Sequence, residues 1–367
     1  MIDLRDLDRV IRYLDARTSA RRNLADELKQ YFEAIFQSGS YQNWLANDQF
    51  RAASAASGQP DLPFEPGNKY PHAERIVRQF LLSVNGKLQV KIDSHRGRIH
   101  VTDGFWVDPH VRVFPTADES EVLCKYISDE NQLDQHVDIL IDPACGCGHH
   151  GLGLNKIPRR ISLDVSLRAI AFARLNAILS GDETHLIGLN DINDGFPREL
   201  ALLRGKMLFA VNMPFAIYPR IDQGSGSLAQ DGGERGIQLT LAAARAIKEL
   251  STRTGCTARA VILAYSLGTT LDSGKYRWDV LEQARTIFPS ATINFRLRSE
   301  ERLWRVNGKK EQPNPMPLNS LKLKADCHNS FQDRDRDAAR RGYEEITNTF
   351  HREGFDCLGY GILDIEI

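Results

Sequence analysis

The sequence predicts an α/β protein whose central parallel sheet is covered by helices on both faces. Five short apolar runs carry this first: "VDILID" (137–142), "RISLD" (160–164), "HLIGLND" (185–191), "MLFAVN" (207–212) and "ARAVILAYS" (258–266) read as buried strands. Second, helical stretches separate several of them, notably "SLRAIAFARLNAILSG" (166–181) and "GIQLTLAAARAIKEL" (236–250). A strand followed by a helix and another strand needs a crossover, and crossovers make parallel sheets. Third, the first strand runs straight into a glycine-rich turn, "IDPACGCGHHG" (141–151).

Ahead of this region, "DLDRVIRYLDARTSARRNLADELKQYFEAIFQSG" carries apolar residues at helical spacing, such as Leu7, Val10, Ile11 and Leu14. Four prolines and two glycines in "ASGQPDLPFEPGNKYPH" then break the pattern and mark a linker or long loop. "HAERIVRQFLLSV" reads as a helix, and "LQVKIDSHRGRIHVTDGFWV" alternates with period two around Arg96-Gly97, which predicts a hairpin. In the helix over 166–181, Ala169, Ile170, Ala173, Ala177 and Ile178 form one face, with Ser166 and Gly181 as end signals. The tail offers one or two strands in "ATINFRLRSEERLWRV", a polar helix in "DRDAARRGYEEITNTFHREG" and a closing strand in "LGYGILDIEI". Three parts are expected: a helical domain with hairpin over 1–115 that binds substrate, a catalytic domain over 116–310, and an extension over 311–367 that adds a helix and the sheet's final strand.

The bulk numbers narrow the function classes. A net charge of −1 gives no reason to expect a general polyanion binder or a membrane-surface protein. The amino terminus is charged from its third residue, which excludes a signal-peptide core there, and no apolar run is long enough to span a bilayer. Six cysteines without framework spacing suit a reducing compartment, so a soluble cytoplasmic protein is expected.

Gly146, Gly148 and Gly151 satisfy G-x-G-x-x-G directly after a strand. Such a turn lets a ligand approach bare backbone amides. Asp164 ends the second strand, where a carboxylate can accept both hydroxyls of a ribose. Asp191 ends the third, placed to meet an adenine edge. Ligands of open parallel sheets sit at the carboxyl ends of strands, so these positions together predict an adenosine derivative. Asp142, just before the turn, is tolerable near a sulfonium and an amino group but unwelcome near pyrophosphate, which favours S-adenosylmethionine over a dinucleotide. The bland reading is that Asp142 and Asp164 only cap helices or solvate strand ends. Cys145, Cys147, His149 and His150 are potential zinc ligands, yet four ligands within six residues of a tight turn cannot readily surround one ion, so no metal is expected. They should fill space beneath the loop or line the cofactor's methionine end.

The fourth strand ends at Asn212 and continues as "NMPF" (212–215). The stretch resembles the N-P-P-[YF] motif of class I S-adenosylmethionine-dependent methyltransferases acting on planar nitrogens, a group that includes release-factor glutamine and adenine-N6 methyltransferases. The resemblance implies a Rossmann-like seven-stranded methyltransferase sheet. It implies catalytic roles for Asn212, Met213, Pro214 and Phe215. Asn212 and the main chain at Met213 would accept the two N–H bonds of a poorly nucleophilic nitrogen, Pro214 would stiffen the turn, and Phe215 would stack on the planar group. The cofactor would touch Asp142, Ala144, Cys145, Gly146, Gly148, Asp164, Val165, Asn190, Asp191, Asn212 and Thr116. The helical domain and hairpin also resemble the release-factor methyltransferase layout. So does "VRVFPTADESEVLCKYI", with Pro115, Thr116 and Glu119 facing the methionine end, and so does the glycine-rich "DGGERGIQLTLAAARAI" after the motif.

Met213 stands where the family has its first proline, which reshapes the pocket wall. A small-molecule or peptide acceptor bearing an amide, guanidino or amino group is therefore expected, with protein glutamine or RNA/DNA adenine as the alternative. A nucleic-acid acceptor would normally bring a basic surface. Basic runs here are interleaved with acids, although Arg296, Arg298, Arg302 and Arg305 could clamp a phosphate or carboxylate. Tyr31, Phe32, Trp44, Phe105 and Trp106 are candidates to close the acceptor pocket, though most of them should be core. A non-catalytic adenosine-ligand binder and an NAD-dependent oxidoreductase are the readings from other classes. The second does not account for N-M-P-F.

Overall fold

The computed structural model describes residues 4–14, 19–43, 69–82, 87–104, 107, 111–114, 118–217, 231–233, 235–298, 305–306, 310–311, 314–322 and 333–367. In chain order come helices α1 (Leu4–Leu14), α2 (Ser19–Gln37) and α3 (Pro71–Ile76), the last running on as a π-helical turn, Val77–Leu81. Strands β1 (Lys91–His95) and β2 (Arg98–Thr102) follow, then α4 (Asp118–Cys124), β3 (Ile139–Asp142), α5 (His149–Gly153), β4 (Arg159–Asp164), α6 (Leu167–Leu179), β5 (His185–Leu189) and β6 (Met207–Val211). After them lie α7 (Gln238–Thr254), β7 (Ala258–Thr270), β8 (Tyr276–Trp278), α8 (Asp279–Ile287) and β9 (Thr292–Leu297). The chain closes with β10 (Arg305–Val306), β11 (Lys310–Glu311), β12 (Met316–Pro317), α9 (Asp333–Arg352) and β13 (Cys357–Glu366).

The chain divides into two compact units. One comprises residues 1–135 and 144–189. Its core joins Val10, Leu28, Phe32 and Ile35 of the first helices to Val77 and Leu81, to Ile92, Ile99 and Val101 of the hairpin, and to Phe172, Leu175 and Leu179 of α6. The hairpin turns at Arg96-Gly97, both at positive φ (50° and 73°), the geometry whose twist suits a two-residue connection. Strands β4 and β5 pair in parallel, as strand–helix alternation requires. Ser166 caps α6, its hydroxyl accepting from the Ala169 amide at 3.3 Å. Of the expected face of this helix, Ala169, Ile170, Ala173 and Ala177 are buried, and Arg168, Ala171, Phe172, Leu175 and Asn176 are buried as well, so the helix is enclosed nearly all round.

The other unit holds residues 136–143 and 190–367. Here β3, β6 and β7 lie side by side in parallel, with Ile139 opposite Met207 and Met207 opposite Ala258. The closing strand β13 runs antiparallel between β7 and β9. Its glycines have a steric reason. A Cβ on Gly359 would stand 2.6 Å from the Trp278 ring, which also presses on Gly268, so the indole covers both. The polar helix α9 buries Ala339, Tyr343 and Phe350, and the Tyr343 hydroxyl donates to the Ile217 carbonyl at 3.1 Å. The fold is Rossmann-like α/β: β4 and β5 pair in parallel in one unit and β3, β6 and β7 in the other, while β8 and β13 join β7 antiparallel and the short hairpins are antiparallel by construction.

Candidate functional site

In the first unit the residues after β3 fold into a tight turn. Gly146 and Gly148 have φ of 52° and 85°, values that strain any other residue. The Gly148 amide donates to the Cys145 carbonyl at 2.8 Å, and Gly148 opens α5. Asp164, at the end of β4, is tied to this turn. One carboxylate oxygen accepts the Gly146 amide and the other the Ser166 amide, both at 2.9 Å. The side chain is half-buried, and through these two bonds Asp164 shapes the turn. Val165 follows, 52% exposed. At Gly146 an added Cβ would meet nothing within 4 Å, so the turn faces open space. Cys145 and Cys147 are buried, as are His149 and His150 at the start of α5, and Ala144 is half-buried.

Sequence reasoning missed what holds the turn from behind. Asn176, fully buried in α6, donates through Nδ2 to the Cys147 carbonyl and the Val101 carbonyl, both at 3.0 Å, and accepts the Val101 amide at 2.8 Å. One turn before the helix's middle, Arg168 grips the Asp103 carboxylate with two bonds, Nε at 2.7 Å and Nη2, and stands over the Phe172 ring. The Asp103 oxygen that accepts from Nε also accepts the Val113 amide at 2.9 Å. The available signal was an amide and a guanidinium inside an otherwise apolar helical run. Such groups stay buried only when fully hydrogen-bonded.

In the second unit Asp142 ends β3 and is fully buried, and Asn212 follows the last residue of the adjacent β6. The four residues from Asn212 are not helical, so a helix-capping role for this amide is ruled out. Its carboxamide is half-buried and hydrogen-bonded to none of the described residues. Met213 turns into the core, while Pro214 and Phe215 remain half-buried. The Phe215 ring meets Tyr265 of β7 edge-on, with centroids 4.8 Å apart, and Tyr360 of β13 at 5.9 Å. Glycines brace its backbone. A Cβ on Gly232 would lie 2.6 Å from the Phe215 Cα, and the Gly232 amide donates to the Ala216 carbonyl at 2.9 Å. Asn190 and Asp191 shape the next turn: Asn190 donates to the Gly195 carbonyl at 3.0 Å, and Asp191 caps a short 3₁₀ turn through the Asn193 amide at 2.9 Å.

Several expectations are settled or fall elsewhere. Tyr31 and Phe32 have no exposed surface and belong to the core, not to a pocket wall. Pro115, Thr116, Trp44, Phe105, Trp106 and Arg302 lie outside the described residues, as do the side chains of Glu119 and Arg305. Arg296 and Arg298 are two residues apart at the end of β9. Among the described residues no group of three His, Cys, Asp or Glu side chains is placed to hold a metal ion, and no helix is long and apolar enough to cross a membrane.

No protein-family profile matches the chain, and no curated protein matches it. Solved structures do. The TYW2 protein of M. jannaschii, solved with AdoMet, is 10% identical over 78% of this chain and 92% of its own, with a TM-score of 0.38. Phosphoethanolamine N-methyltransferase 2 of Haemonchus contortus, in complex with phosphomonomethylethanolamine and S-adenosylhomocysteine, is 11% identical over 68% of this chain and 52% of its own, at 0.35. The [4+2]-cyclase SpnF is 14% identical over 67% and 80%, at 0.34. Likenesses this distant carry no argument about the reaction.

Proposed function

We propose that this chain is an S-adenosylmethionine-dependent N-methyltransferase that methylates a planar nitrogen of a small molecule or peptide. The observation that carries the reading is Asn212: a carboxamide at the tip of a buried strand, engaged by no described residue, ahead of a Pro-Phe pair braced by glycines. A half-buried carboxamide that no described residue engages, beside a braced ring, is free to accept from a ligand.

The residues of the glycine turn fit the cofactor. Gly146 offers backbone facing open space, Asp164 offers carboxylate acceptors for a diol, and the half-exposed Val165 offers an apolar wall for a base. Asp142 would complement the positive end and Asp191 the adenine edge. When bound, S-adenosylmethionine supplies a methyl group on a sulfonium leaving group. The chain's own contribution is orientation. Asn212 Oδ1 and the Met213 main chain accept the acceptor's two N–H bonds. This holds its lone pair in line and favours pyramidalisation as charge develops. Phe215, held upright by Tyr265 and Tyr360, supplies the stacking face. In this reading residues 1–115 form the acceptor-binding part, 116–310 the catalytic domain and 311–367 the extension. A cytoplasmic location is part of the same reading, supported by six cysteines without framework spacing.

Calorimetry with S-adenosylhomocysteine and with NAD tests the cofactor. Binding of the first and not the second is expected, and no binding at high micromolar concentration overturns the reading. Labelled S-adenosylmethionine offered with protein, RNA and small-molecule fractions of an extract then sorts the acceptor class. Label in none of them leaves a binder, not an enzyme.

A further inference from the structure

Four imidazoles meet where α5 packs on the hairpin. His149 is the centre. Its ring centroid lies 5.0 Å from that of His100 on β2, 5.2 Å from His95 on β1 and 5.7 Å from His150 beside it. His95 and His100 are 5.8 Å apart. His100, His149 and His150 are buried. The surrounding charges are few. Arg96 in the hairpin turn donates to Glu121 of α4 at 2.8 Å and to Asp129 at 2.9 Å, and Arg98 stands on β2. Glu121 Oε2 is 3.5 Å from His149 Nε2, while its other oxygen is taken by Arg96. Neither His149 nitrogen has a hydrogen bond.

We propose that His95, His100, His149 and His150 form a proton-operated latch between the hairpin and α5, closed while uncharged and opened when acid charges it. The geometry gives the reason. A proton on His149 puts a cation against three other imidazoles and near Arg96, in a buried site with one shared carboxylate to answer it. Separation of α5 from the hairpin relieves this. Because Gly148 caps the start of α5, movement of the helix also moves the glycine turn, so acid weakens cofactor binding. That last step rests on the cofactor reading above.

Burial, with the neighbouring imidazoles and Arg98 or Arg96, holds His100 and His149 well below the usual imidazole range. The unfolded chain, whose imidazoles titrate near about pH 6.5, therefore takes up protons before the folded one. The latch's stabilisation is complete above that pH and is lost as pH falls below it. Each of the two groups changes the folding equilibrium by up to about tenfold per pH unit.

The test compares the full-length wild type with His100→Gln, His149→Gln and the double variant between about pH 8 and about pH 5.5. Hydrogen exchange, corrected for intrinsic rates, is read over residues 91–102 and 145–153, and S-adenosylhomocysteine affinity is read by calorimetry. Acid should raise wild-type exchange in both segments together and lower affinity about tenfold or more, the change expected for one linked proton per pH unit. The double variant should flatten both responses. Should it not fold, His95→Gln, at the partly exposed edge, must reduce them. An unchanged pH response in the variants overturns the latch. So does stabilisation of the wild type by zinc at the alkaline end, which would make the cluster a metal site. Absence of S-adenosylhomocysteine binding at every pH would sink the cofactor reading alone, and exchange would still decide the latch.

Discussion

Tyr41 and Asn176 close the two open edges of one rung of the hairpin. Ile92 and Val101 are paired across it, and both turn their backbone polar groups outward. On one edge the Tyr41 hydroxyl accepts the Ile92 amide at 2.8 Å and donates to its carbonyl at 3.1 Å. On the other, Asn176 does the same for Val101 and reaches the Cys147 carbonyl besides. Tyr41→Phe strands two backbone groups and Asn176→Ala three, at a cost of about 1–3 kcal/mol per group. Urea unfolding should show both losses. Asn176→Ala alone should also weaken S-adenosylhomocysteine, because only Asn176 touches the glycine turn. Equal effects of the two variants on the cofactor would mean that Asn176 acts through general stability.

Gly151 is fixed by sterics, not by backbone conformation. A Cβ there would stand 2.3 Å from the His185 ring and 2.9 Å from Ser162 Oγ. The ring cannot retreat, since its Nε2 is bonded to that hydroxyl at 2.6 Å and both side chains are buried. Gly151→Ala should therefore cost about 3 kcal/mol or more. Gly255→Ala, at φ 64° with nothing within 4 Å, meets only backbone strain and should cost about 1 kcal/mol. Thermal unfolding of the pair decides it: similar losses would show that the His185 site yields.

The strands of the alternating region and the hairpin turn were legible because each is encoded locally. A short apolar run bounded by Asp or Asn is a strand, and Arg96-Gly97 between alternating residues is a turn. Ser166 announced the start of α6 for the same local reason. The ties that fix the glycine turn were not legible. Asn176 meets Val101 from 75 positions away, and Arg168 meets Asp103 from 65. No spacing rule reports such a distance. For the same reason the loop histidines were read against their two near cysteines, when their neighbours are His95 and His100 of the hairpin. The strand-end acids were half legible. Asp164 and Asp191 were read as ligand acceptors, and the structure gives each a backbone amide as well. The capping of nearby backbone is the role the structure shows for these carboxylates.

Cys357 should be inert to alkylation at mildly alkaline pH. Burial first, then its bond to Asp356, pushes the thiol up to about 12. An ordinary thiol titrates near about 8.5. The sign follows. The folded chain keeps this proton while the unfolded chain loses it, so the contribution to stability is complete below the unfolded value and declines as pH rises toward the folded one. Iodoacetamide labelling read by mass spectrometry should leave Cys357 unmodified under native conditions and modify it in urea. Labelling of the native protein at the rate of a free thiol would show that the strand end opens.

The decisive pair of variants sits at the ends of β6 and β4. Asn212→Ala removes an acceptor that no described residue uses, so stability and S-adenosylhomocysteine affinity should hardly change. Turnover should fall by about a hundredfold or more, the scale for losing one preorganised hydrogen-bonding group in a transition state. Asp164 is harder to test, because Asp164→Ala also releases the Gly146 and Ser166 amides and would disturb the turn whatever the ligand. Asp164→Asn is the better probe. It keeps the volume and one carbonyl oxygen, but its amide nitrogen must face one of those N–H groups and cannot accept from a hydroxyl. If Asp164 holds a ribose, this variant loses affinity for S-adenosylhomocysteine beyond its loss for methylthio-ligands that lack the sugar. A uniform loss across both would make Asp164 a pillar of the turn and nothing more.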